Sequence, residues 1–283
     1  MSSHNERDVA VEELLYVVDS DRLLMYAYRN GRAKPFAQIA GIEYSSDLCA
    51  DAGGNVFVVD ESGRQIVEYA HGATSPLETF DDKIGPPIGC AADPVTGNLA
   101  VVNSYDGHYK SASVLVFTPG SALPKRYGEK RIWRLEACAY DDKGDLFVFA
   151  LSRSESPYLI ELPSGGSNLV DLEIKGVSLT TFGGMQWRGR YLVIGSTQYA
   201  GPYRSVLYEF AVDGKVAMHK RTIRLQHSGD VSNFVLQGDR VIAPDGDEYL
   251  PIFAYPSGAL VSVITKGLGR PTAVTLSEPP ERL

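Results

Sequence analysis

The chain has 283 residues, 44% apolar and 22% charged, a composition that builds a core of its own and excludes a disordered chain. Lys and Arg number 27 against 35 Asp and Glu, and the resulting net charge of −8 argues against a nucleic-acid partner. No apolar run approaches the ~20 residues that a membrane-spanning helix requires, so no membrane partner is expected.

The N-terminal stretch SSHNERDVAVEE has no apolar core of leader length. Two compartments stay open: the cytosol, or export with a leader already removed. The three cysteines are too few for a disulfide scaffold and show no CxxC spacing. No Asn-x-Ser/Thr glycosylation acceptor occurs.

Repetition dominates the remainder. Six short apolar runs recur: LLYVVDS from Leu14, NVFVVDE from Asn55, NLAVVNS from Asn98, DLFVFAL from Asp145, RYLVIGS from Arg190 and RVIAPDG from Arg240. Their starts are 41, 43, 47, 45 and 50 residues apart. Each is short and rich in β-branched or aromatic residues, which favours strand over helix. Before most of them stands another strand-like segment with a Gly, Asp or Asn turn, as in DLCADAGG from Asp47 and EACAYDDKG from Glu136. After each comes a third strand, such as QIVEYAHG or SVLVFTPG, and then a more polar fourth segment, for example KPFAQIAG from Lys34 or LVSVITKG from Leu260. Four antiparallel strands repeated six times describe a six-bladed β-propeller.

The first unit lacks its opening strand, while RPTAVTLS, from Arg270 to Ser277, is an opening strand without a unit. Pairing Ala273–Leu276 with Leu15–Val18 closes the ring and removes the exposed edges. The expected organisation is a tail over 1–13, one propeller domain over 14–277, and a tail over 278–283. The polar fourth strands lead to the expectation of a monomer.

The segment DLCADAGGNVFVVDESGRQIVEYAHG, Asp47–Gly72, resembles an NHL-type repeat, and the whole chain is similar in architecture to NHL-type and gluconolactonase-like six-bladed propellers. In gluconolactonase-like propellers, side chains at the starts of the inner strands converge on the central channel and hold a divalent metal, usually calcium. The resemblance therefore implies a ligand set of Asp47, Glu136 and Asn233, with calcium or another divalent ion as cofactor. Thr272 and Gly184 stand at the corresponding points of two other units. Such an ion would polarise a carbonyl and activate water, the chemistry of a lactonase or esterase.

The loops between second and third strands lengthen from the third unit onward. They bring Tyr105, His108, Tyr109, Tyr199, Tyr203, Arg204 and Tyr249 to one face, with Trp133 on a connection entering an inner strand. Aromatic and hydrogen-bonding groups on a rigid rim suit recognition of a small molecule, glycan or peptide. Asp245, Asp247 and Glu248 form an acidic loop whose spacing fits no calcium loop. His71 and His219 fall at outer strands, where surface exposure is expected. Cys49, Cys90 and Cys138 read as equivalent positions of three consecutive inner strands, packed as buried thiols between blades. No nucleophile elbow, zinc-binding helix or phosphate-binding loop occurs. A binding module is the expected function; the hydrolase is the alternative.

Overall fold

The computed structural model describes residues 12–29, 31–42, 45–104, 112–121, 123–128, 132–179, 183–198, 204–244, 246 and 248–279. Within them lie 24 strands and no helix. The chain opens with β1 (Leu14–Asp19), β2 (Arg22–Arg29) and β3 (Arg32–Ala40). A four-stranded sheet follows from β4 (Ser45–Ala50), β5 (Val56–Asp60), β6 (Gln65–Tyr69) and β7 (Glu78–Asp81). The next comprises β8 (Pro87–Ala92), β9 (Leu99–Asn103), β10 (Ser113–Phe117) and β11 (Lys125–Tyr127).

An eight-stranded sheet comes after these. Its first half is β12 (Arg134–Tyr140), β13 (Leu146–Leu151), β14 (Pro157–Leu162) and β15 (Val170–Lys175). Its second half is β16 (Met185–Arg188), β17 (Tyr191–Gln198), β18 (Arg204–Asp213) and β19 (Val216–Arg224). Each half is antiparallel; they join by parallel pairing of β15 with β19, Ile174 opposite Ala217. A last four-stranded sheet is β20 (Val235–Gln237), β21 (Arg240–Ile242), β22 (Leu250–Ala254) and β23 (Leu260–Ile264).

The final strand, β24 (Pro271–Ser277), returns to the first and pairs antiparallel with β1. Leu15 faces Leu276 and Val18 faces Ala273, the register read from the sequence. Side chains fasten this seam at both ends. Asp19, fully buried, accepts from Arg22 (Nη2 at 2.7 Å) and from the backbone N–H of Gly269 (2.9 Å), tying the β23–β24 loop to the β1–β2 turn. At the other end the His71 ring bonds Ser277 Oγ (2.7 Å) and the Glu12 carbonyl (3.0 Å), while Tyr16 accepts the Gly72 N–H (2.7 Å). His71, half-buried, thus ties the closing strands to the neighbouring sheet.

Short apolar strands separated by capped turns follow from the local chemistry. Asp51, Asp93 and Asp141 end successive inner strands, and each carboxylate accepts a backbone N–H of its own turn at 2.8–2.9 Å. Gly54, in one of these turns, has φ +83° and lies under the Glu278 carbonyl, where a side chain has no room. Because alternate residues of every strand face opposite neighbours, the core divides into six apolar clusters, each shared by two successive sheets or half-sheets. One of them, built on Leu15, Val17, Ile242, Ile252 and Val274, joins the last sheet to the first.

The cysteines depart from the sequence reading. Cys49 and Cys90 form a disulfide, with Cα atoms 5.8 Å apart, while Cys138 is buried and free. Cys49 stands two residues before its turn aspartate, Asp51; Cys90 and Cys138 stand three before Asp93 and Asp141. A one-residue offset turns a strand side chain to the opposite face. Cys49 therefore points toward the β8–β11 sheet and Cys90 back toward β4–β7, both in one cluster, whereas Cys138 packs in the next. The bridge spans 41 residues of chain, a loop whose closure entropy is worth about 4 kcal/mol. A C49A/C90A variant is expected to lose stability on that scale in urea titration, and reduction of the wild-type protein to lower its unfolding midpoint similarly.

Candidate functional site

The first strands of the sheets, β4, β8, β12, β16 and β20, together with β24, line a central cavity of 420 Å³. Four of these strands begin with the same irregularity. Ser46, Ile88, Glu136 and Thr272 are each skipped in the pairing with the second strand, so each is a bulge residue at an inner-strand start. Bulges re-aim a side chain, and Ser46, Ile88 and Glu136 all line the cavity. Asp47 lies one residue beyond its bulge, level with Gly89, Ala137 and Ala273.

That one step gives Asp47 a different role from Glu136. One Asp47 oxygen accepts from the Leu48 N–H (2.9 Å) and the Asn233 amide (2.7 Å); the other accepts from the Cys90 N–H (3.1 Å). Asn233 in turn accepts the Val274 N–H (2.9 Å) on its carboxamide oxygen. The circuit crosses the cavity and links the inner strands of three sheets with the connection into a fourth. Gly89 leaves it room: a Cβ there would stand 3.3 Å from the Asp47 carboxylate. Burial pushes the Asp47 carboxyl up to about 7, outweighing the three N–H donors that favour its charged form.

Asp47 and Asn233 are thus brought together as expected, but as partners of one another. Glu136 is turned toward Arg134, which donates from Nη2 at 3.0 Å, and desolvation raises its carboxyl as well. The oxygens that a divalent cation would require are committed to N–H donors at Asp47, to Val274 at Asn233 and to a guanidinium at Glu136. Among the described residues no group of three or more His, Cys, Asp or Glu is placed to hold a metal ion. At the far end of the cavity Glu13 bonds Gln237, and desolvation together with nearby Glu278 raises its carboxyl.

Of the aromatic face, two members lie in described positions. Trp133 immediately precedes β12, is half-buried, and carries the Arg153 guanidinium 5.5 Å above its ring. Tyr249 borders a shallow concavity with Gly246, Glu248, Gly269 and Arg270. Arg204 begins β18. Tyr105, His108, Tyr109, Tyr199 and Tyr203 lie outside the described residues, as do Asp245 and Asp247. His219 packs its ring edge-on against Tyr208 and Phe210 and bonds Thr222 at 2.9 Å.

Sequence reasoning missed the cross-cavity circuit, because a bulge leaves no mark in the strand pattern. It also missed Arg153, whose pairing with Trp133 brings together residues on two separate connections. The disulfide did leave a signal, the unequal spacing of the cysteines from their turn aspartates.

Small antiparallel sheets arranged around a cavity, with the last strand completing the first sheet, define a β-propeller. A chain of the crystal structure of a nidogen/laminin complex is similar in fold, with a TM-score of 0.73 over 95% of this chain and 99% of that chain. Its sequence identity is 13%, so the similarity concerns the fold alone. No family model matches the sequence, and no curated protein does.

Asp47 yields a pH prediction. The unfolded carboxyl ionises near 3.8, whereas the folded one keeps its proton to about 7. Unfolding therefore releases a proton between these values, and this group makes stability fall as pH rises across that window. Urea midpoints at pH 4, 5.5 and 7 are expected to show the decline in the wild type and a shallower one in D47N. Identical slopes would remove Asp47 as its source.

Proposed function

We propose that the chain is a binding module, a six-bladed propeller over residues 14–277 that holds a peptide segment of a protein partner on its loop face. In this reading the eight-stranded sheet is two blades joined at their outer edges, and each of the six apolar clusters is one blade-to-blade contact. The observation that carries the functional reading is the saturated Asp47–Asn233 circuit. With its polar groups engaged by one another, the cavity mouth serves to hold the blades in register, and recognition passes to the rim.

The rim has suitable chemistry. Trp133 under Arg153 offers an aromatic face with a cation over it, and Tyr249 and Arg270 border one concavity. Trp, Tyr and Arg are the residues that dominate binding energy at protein interfaces. The proposal adds Tyr105, His108, Tyr109, Tyr199, Tyr203 and Arg204 to this surface. That the similar propeller comes from a complex of two proteins fits a protein or peptide partner better than a small molecule or glycan.

Panning a displayed random-peptide library against the immobilised protein tests this. Selected peptides are expected to lose tenfold or more in affinity, about 1.4 kcal/mol, for W133A/Y249A and for the Tyr105, Tyr109, Tyr199 and Tyr203 alanine variant, with melting unchanged. Peptides that bind all three proteins equally would contradict the assignment of the loop face.

A further inference from the structure

The outer edges of the sheets are protected in every case but one. β3 carries Arg32, Lys34 and Pro35; β7 carries Glu78 and Asp81; β11 carries Lys125 and Arg126. β15 and β19 cover each other by pairing. These are the usual devices that keep an edge strand from accepting a foreign strand. β23, with sequence LVSVI, has no charge and no proline. Leu260, Val261 and Val263 are 41%, 47% and 45% exposed, three of the seven large apolar side chains exposed among the described residues. The sequence reading of this fourth strand as polar is thereby corrected.

The backbone is presented as well. Val263 stands opposite Pro251, whose carbonyl accepts the Ala243 N–H on the β21 side. The two polar groups of a strand residue point the same way, so Val263 is a non-hydrogen-bonded partner of Pro251 and aims its N–H and C=O away from the sheet. The surroundings are basic, although the chain as a whole is acidic. The apolar clusters place β23 between the outer strands β19 and β3. β19 contributes Lys220, Arg221 and Arg224, β3 contributes Arg32 and Lys34, and Lys266 follows β23; neither β19 nor β3 contains an acidic residue. Arg221 faces the buried Glu209 at 3.4 Å.

We propose that β23 is a second docking edge, which takes an extended peptide segment of a protein partner as a fifth strand, apolar at alternate positions and flanked by acidic residues. Main-chain hydrogen bonds to the edge supply affinity, Val261 and Val263 supply apolar contact, and the basic outer strands select the acidic flanks. This surface is separate from the loop face, and the two are tested apart.

The probe is a fluorescein-labelled peptide of three valines alternating with two threonines, with two glutamates at each end, followed by anisotropy. The wild type is expected to bind it at least tenfold more tightly than the same peptide with lysine ends. V261K/V263K, which alters exposed side chains only, is expected to lose binding with melting unchanged, and K34E/K220E to reverse the preference between the two peptides. W133A is expected to bind as the wild type does. Equal binding of both peptides, or undiminished binding by V261K/V263K or K34E/K220E, would overturn the proposal, and loss of binding in W133A would move the peptide to the loop face. Sedimentation of the wild type as a dimer that V261K/V263K abolishes would assign the edge to a second copy of the chain instead.

Discussion

The pairing of β24 with β1 is the constraint on which the rest of the structure depends. It brings residues more than 250 positions apart into a single sheet and converts an open row of sheets into a ring. Without it the apolar cluster built on Leu15, Val17, Ile242 and Val274 has only one wall. Each fully buried aliphatic side chain contributes about 1.5–3 kcal/mol relative to exposure, so the seam is held mainly by what it buries. Asp19, His71 and Tyr16 fix its register at the two ends.

Closure also creates the central cavity and decides what its walls can do. The inner strands are forced together around one axis, and polar groups there must find partners across it. Asp47 reaches Cys90 and Asn233, and Asn233 reaches Val274, so one carboxylate helps to set the relative height of neighbouring sheets. The Cys49–Cys90 bridge reinforces the same wall covalently. In the proposed reading this interior is a frame, and recognition falls to the rim loops and the outer edges.

The fold was largely legible because its signals are local and repeated. The run NVFVVDE and its counterparts, each preceded by a turn with Gly or Asp, set strand length and spacing, and the orphan segment from Arg270 to Ser277 set closure down to the pairing of Leu15 with Leu276. The site was legible only in part. Asp47, Glu136 and Asn233 look comparable along the chain, yet a bulge displaces Glu136 by one residue from Asp47, and in a strand one residue changes the face. The same arithmetic separated Cys49 from Cys90 and made a disulfide of two residues read as equivalent thiols. The character of β23 was obscured because TKG follows LVSVI directly and lends a polar cast to a segment whose strand is wholly uncharged.

Native-state hydrogen exchange, read at the amides of β1 and β24 beside those of β5 and β9, tests the ring most directly. If closure is the constraint that holds the structure, the β1 and β24 amides exchange only through global unfolding, with the same free energy and the same dependence on denaturant as the amides of β5 and β9. Exchange of β24 through a cheaper local opening, with β5 and β9 still protected, would show that the sheets stand without the seam and would contradict the account.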